Sequence, residues 1–115
     1  MAVTNPSFMN GVPELLVLRL LRNRTMYGYE IVQAIREETG EAVNLGEGVV
    51  YPVLHALEKA GAITAERRPV NGRSRIYYTL SPAGVSRLSE LSALWSRVTG
   101  AVQQVLVGGA NANLV

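Results

Sequence analysis

Apolar positions recur at helical spacing in four stretches of the chain and alternate in two short ones, and this pattern predicts the elements. Residues 14–23 (ELLVLRLLRN) are apolar on more than one face, which predicts a helix that packs against two partners, with Pro13 in its first turn. After a break over 25–28, residues 29–39 set Ile31, Ala34 and Ile35 on one side against Glu30, Gln33 and Glu37 on the other, and Gly40 closes this second helix. Asn44 and Glu47 have the spacing of a capping box, which predicts a third helix over 45–60. Its buried stripe is Val50, Val53, Leu54 and Leu57, opposite Glu47, Gly48, Tyr51, His55 and Glu58. Pro52 removes a backbone donor and crowds the carbonyl of Gly48, so the start of this helix is expected to be irregular.

Residues 63–69 and 74–80 are extended runs on either side of Val70-Asn71-Gly72-Arg73, and Asn-Gly is a strong hairpin signal. Ser81-Pro82 then reads as an N-cap followed by proline at the first helical position. The helix it opens is expected to run to Val107, with Leu88, Leu91, Trp95, Val98, Val102 and Val105 at steps of three and four. At 1.5 Å per residue it is roughly 39 Å long, more than one small domain covers, so its stripe calls for a second subunit. Gly100 weakens it by ~1 kcal/mol relative to alanine.

The expected fold class is mainly α with a small β-hairpin: a winged helix-turn-helix plus a long C-terminal dimerisation helix. Its divisions are an N-terminal arm over 1–10, a DNA-binding domain over 11–80, the dimerisation helix over 81–107 and a flexible tail over 108–115.

Composition sharpens this picture mainly by exclusion. There is no cysteine, hence no disulfide framework and no thiolate metal site. The N-terminus lacks the pattern of a signal peptide, and Arg19, Arg22 and Arg24 interrupt the strongest apolar window before it reaches the ~20 residues of a membrane span; a cytoplasmic protein is expected. No nucleophile-base pair, phosphate loop or carboxylate pair stands out, and aspartate is absent altogether, so neither an enzyme nor a cofactor is expected. The formal net charge is only +2, but Lys59, Arg67, Arg68, Arg73 and Arg75 face a single acid, Glu66, within 59–75. That local excess sits on the hairpin and suits contact with phosphates.

Five short motifs, Tyr27-Gly28-Tyr29-Glu30-Ile31, Gly48-Val49-Val50-Tyr51-Pro52, Leu57-Glu58-Lys59-Ala60-Gly61, Gly72-Arg73-Ser74-Arg75 and Tyr77-Tyr78-Thr79-Leu80-Ser81-Pro82-Ala83-Gly84, together resemble the PadR family of transcriptional regulators. The resemblance covers about residues 14–88, and the short single C-terminal helix resembles the subclass that includes multidrug-responsive repressors. It implies a homodimer that binds a double-stranded DNA operator and is released by a small aromatic or hydrophobic effector. Trp95-Ser96-Arg97-Val98 also resembles the segment around a drug-facing tryptophan in one such regulator. Where the family often has threonine this chain has Val49, and the start of its recognition helix offers no Arg, Lys, Asn or Gln. Glu47 toward a cytosine amino group and Val49 toward a thymine methyl are the direct contacts open to it, with DNA shape carrying part of the specificity.

The candidate DNA-binding residues are therefore Tyr27, Tyr29, Glu47, Gly48, Val49, Tyr51, His55, Arg67, Arg73, Ser74 and Arg75. Arg67 and Arg68 alternate along a strand and cannot both face one way. Tyr51 is either a DNA contact or a half-buried ring beneath its helix; of Tyr27 and Tyr29, one packs inward and the other is free to reach a phosphate. Trp95, Val98, Thr99, Val12 and Leu15 are the candidate effector-binding residues, and Leu88, Leu91, Trp95, Val98, Val102 and Val105 the dimerisation stripe. A lone tryptophan on an apolar helical stripe also suits a plain interface anchor. His55 has no second ligand for a metal. The alternative function is a winged-helix module that binds protein, which needs no cationic wing.

Overall fold

The computed structural model describes residues 9–108. The expected arm and tail lie outside that range except for Met9, Asn10 and Gly108. Gly11 leads the chain into α1 (Val12–Asn23), whose Val17, Leu18, Leu20 and Leu21 are buried around exposed Arg19. Being apolar on more than one face, α1 packs against α3 and α4 as well as the sheet, and so forms the centre of the core.

The break after α1 contains a short strand, β1 (Met26–Tyr27), that sequence pattern alone did not show, since two residues carry no period. It leads directly into α2 (Gly28–Glu38), where the Glu30 carboxylate accepts from the Tyr27 backbone N–H at 3.3 Å. The same carboxylate pairs with Arg24 at 2.5 Å, fixing the entry to the helix. Thr39 and Gly40 end α2 as expected, and the Thr39 hydroxyl accepts from the Val43 N–H at 3.0 Å across the turn.

The capping box expected at Asn44 is absent. Leu45 is 4% exposed, drawn into the core, and α3 (Glu47–Lys59) starts two residues later from an extended Gly46 without a side-chain cap. Its first bonds are shared, with the Val49 and Val50 N–H groups both donating to the Gly46 carbonyl at 3.1 Å. The helix is continuous through Pro52. The proline lies on the exposed side, and the carbonyl its ring crowds belongs to a residue without a side chain, Gly48.

Strands β2 (Ile63–Val70) and β3 (Arg73–Leu80) form the hairpin, and β1 pairs with the other edge of β3, giving a three-stranded antiparallel sheet in the order β1-β3-β2. Asn71 and Gly72 have φ of 51° and 76°, the left-handed pair that a two-residue type I′ turn requires. The sheet root is held by Met26, Ile63 and Tyr78, all nearly fully buried.

Burial, followed by the Glu58 carboxylate and the Tyr51 phenol, raises the Tyr78 phenol above its ordinary value of 10.0. A phenol whose folded-state pKa is raised contributes stability that is complete below pH 10.0 and is lost as pH climbs beyond it. Urea titrations are therefore expected to show a decline in stability above pH 10.0 that is smaller in Tyr78→Phe.

Helix α4 (Pro82–Leu106) begins at a junction built on Ser81. Its hydroxyl donates to the Gly61 carbonyl at 2.6 Å and accepts from the Gly84 N–H at 3.1 Å, while its own N–H donates to the Ala62 carbonyl at 3.0 Å. The end of α3 and the start of α4 are thereby locked together. Arg87 adds an ion pair to Glu14 of α1. Leu88 is the last buried residue of α4, and Leu91 the last apolar side chain packed against the core.

Candidate nucleic-acid interface

The exposed side of α3 follows from its buried side. With Val50, Leu54 and Leu57 inward, the residues pointing away from the core are Gly48, Pro52, His55 and Lys59, with Glu47 and Glu58 beside them. Pro52 and Lys59 are absent from the residues chosen by sequence, and the position of Lys59 one turn after His55 was the available signal. Val49 is half-buried and joins Val53 and Leu45 in a cleft of about 310 Å³ that also touches Pro13 and Glu14. It sits on the flank facing α1.

Tyr51 occupies the other flank. Its ring lies so close to Gly28 that a Cβ there would come within 2.5 Å of the phenol oxygen. The ring fills the space between α2 and α3, and burial together with the neighbouring Glu47 carboxylate raises its pKa. Tyr29 is 51% exposed and its hydroxyl accepts from the Gln33 amide at 2.8 Å, whereas Tyr27 packs against the sheet.

The hairpin register sorts the wing residues by face. Val70 pairs with Arg73, Arg68 with Arg75 and Glu66 with Tyr77, and Tyr27 of β1 lies opposite Tyr77 on the other side. Paired residues share a face, so Arg68, Arg73, Arg75, Tyr27 and Tyr77 are together on one face, while Arg67 and Ser74 project from the other. The Tyr27 and Tyr77 rings meet edge to face at 5.5 Å. The Arg75 guanidinium stands 4.3 Å over the Tyr27 ring, and that of Arg68 stands 4.8 Å over Tyr77. Arg68 also pairs with Glu66 at 2.6 Å; among the described residues neither Arg73 nor Arg75 has an acidic partner. Sequence reasoning kept Arg67 and left out Arg68 and Tyr77.

On α4, Trp95 and Val98 are about half exposed and the Thr99 hydroxyl is turned back to the Trp95 carbonyl at 2.7 Å. Val12 and Leu15 pack against the protomer's own core. The cleft beside Val49 and a smaller one between Glu14, Val53, Ala56 and Arg87 are not lined by any of these five residues. Of the expected dimerisation stripe, Leu88 is spent on the protomer core and Leu91 half so, leaving Trp95, Val98, Val102 and Val105 open. No three His, Asp or Glu side chains converge as a metal site among the described residues. Nor is any helix among them long and apolar enough to cross a membrane.

Comparison with known proteins agrees with this architecture. The chain is 33% identical over 101 residues to an uncharacterised protein of Lysinibacillus sphaericus, covering 87% of this chain and 93% of that one. It is 31% identical over 83 residues to the transcriptional regulator Rv3488 of Mycobacterium tuberculosis, covering 72% and 75% respectively. Among solved structures, a transcriptional regulator from Clostridium thermocellum superposes with a TM-score of 0.81 at 26% identity, over 89% of this chain and 97% of its own. A PadR family regulator from Eggerthella lenta gives 0.77 at 26% identity, over 87% and 86%. Residues 17–90, from the middle of α1 through the sheet and into α4, match the model of the transcriptional regulator PadR-like family, and the chain belongs to that family of regulators.

Proposed function

We propose that the protein is a cytoplasmic, sequence-specific DNA-binding repressor that works as a homodimer and is released by a small aromatic or hydrophobic effector. The observation that carries the DNA reading is the wing: three arginines share one face of a hairpin that projects beyond the core, and two of them have no acidic partner among the described residues. Beside it, α3 exposes Gly48, Pro52, His55 and Lys59, a nearly neutral surface that fits a major groove and leaves much of the specificity to shape and wing contacts.

The dimer rests on α4. Beyond Leu91 none of its residues is buried, and Leu94, Trp95, Val98 and Val102 are each about half exposed. Water-facing apolar stripes of this length mark association surfaces, and a two-fold pair of such helices presents two copies of α3 to a pseudo-palindromic site. An effector entering beside Trp95 shifts the equilibrium to the extent that it binds one dimer geometry more tightly than the other.

The test is a titration against duplex from upstream of the protein's own coding sequence and against a scrambled duplex, at two salt concentrations. Preference for the upstream duplex is expected, with the Arg73→Ala/Arg75→Ala double variant lowering the slope of log affinity on log salt by about two phosphate contacts. Equal affinity for both duplexes would refute sequence-specific regulation.

A further inference from the structure

We infer that Arg68 and Arg75 form a two-guanidinium clasp for the DNA sugar-phosphate backbone, held in position by the Tyr77 and Tyr27 rings, and that Arg67 takes no part in it. The inference rests on the DNA-binding reading and adds to it the face of the wing that binds, a contact residue in Arg68 and a positioning residue in Tyr77.

Arg68 and Arg75 are direct cross-strand partners on one face. Like charges in that position destabilise a hairpin, so the arrangement needs an opposing term. Part of it comes from the rings, since each guanidinium stands over a tyrosine and the two tyrosines brace one another edge to face. Another part comes from Glu66, which neighbours Arg68 across the ladder from Tyr77. One carboxylate against two guanidiniums leaves a positive charge over, with Arg73 adding a third on the same face toward the tip. A phosphodiester supplies the missing anion and accepts from the guanidinium N–H groups in their own plane, leaving the ring contacts in place. Arg67 lies on the opposite face with Ile76, without a second arginine across from it.

Stacking also explains the choice of contact residue. A free arginine loses rotamer entropy on gripping a phosphate, whereas one already laid on a ring has lost much of it before DNA arrives. Glu66 must give up Arg68 when the phosphate binds, which makes it a competitor.

Backbone contacts are independent of sequence, so the probe is a labelled random-sequence duplex titrated with the full chain over a series of salt concentrations. Arg68→Ala and Arg75→Ala are each expected to weaken binding by roughly tenfold. Each should lower the magnitude of the salt slope by about 0.9, while Arg67→Ala changes neither. Tyr77→Leu is expected to reproduce the Arg68→Ala loss, Tyr77→Phe to restore the affinity and slope of the unaltered protein, and Glu66→Gln to tighten binding. A variant that merely unfolds part of the protein lowers the active concentration and leaves the slope unchanged. Equal losses from Arg67→Ala and Arg68→Ala, or a Tyr77→Phe variant as weak as Tyr77→Leu, overturn the clasp while DNA binding stands. If the unaltered protein binds no duplex at low salt, both fall together.

Discussion

Replacing Gly84 by alanine is expected to cost about 3 kcal/mol of stability, although the position is helical and alanine is the better helix former by ~1 kcal/mol. A Cβ at Gly84 would lie 2.1 Å from the Ala62 carbonyl oxygen and 2.5 Å from the Leu80 side chain. The Leu80 contact is with the end of a rotatable side chain, but the carbonyl is fixed, because it already accepts from the Ser81 N–H at 3.0 Å. Relief requires moving the first turn of α4 away from the end of α3, and that movement breaks the Ser81 bonds to Gly61 and Ala62. Urea denaturation checks it: a lowered midpoint with an unchanged slope is the expected result, and stability equal to that of the unaltered protein would show that the junction is not tightly packed.

Val102→Glu is expected to leave the protomer's fold intact and to raise the dissociation constant of the proposed dimer by at least about 100-fold. Val102 is 51% exposed in the protomer, so the new carboxylate there remains in water. In a two-fold pairing of α4 helices the change appears twice, and burying a charge without a partner costs about 3–5 kcal/mol. Sedimentation velocity over a concentration series reads this directly. Affinity for a two-half-site duplex should fall with it, since each half-site is then bound independently. An unaltered dissociation constant would remove the distal stripe of α4 from the interface and leave Leu94, Trp95 and Val98, nearer the core, to be tested next.

The long-period elements were legible in the sequence because their residues repeat. Leu18, Leu21, Ile31, Ile35, Val50, Leu54 and Leu57 are buried where helical spacing places them, and Asn71-Gly72 makes the two-residue turn that its composition announces. Strand β1 and the start of α3 were not legible. The first is defined by pairing with β3, and the second by the burial of Leu45, both of which depend on distant parts of the chain.

Within the candidate site, the faces taken by Arg67 and Arg68 were legible in the sequence as well. A two-residue turn at Asn71-Gly72 fixes the register, so that Arg68 must oppose Arg75 and Glu66 must oppose Tyr77. What no such rule supplies is the role of Tyr27, whose ring reaches Tyr77 only because β1 adds to that edge of the sheet. Tyr51 has the same character: helical phase puts it near the polar side of α3, and the absence of a side chain at Gly28 draws its ring inward.

The Ser81 junction also makes α4 a lever. Two backbone carbonyls from the end of α3 are gripped at its first turn, which ties the direction of the long helix to that of α3. Twenty-five residues at 1.5 Å each give an arm of about 37 Å, and a tilt of about five degrees at one end sweeps the other through about 3 Å. That is close to the rise of one base pair. In the proposed dimer, a wedge no thicker than a flat ring between two such arms would therefore be enough to set the two α3 helices out of step with their half-sites.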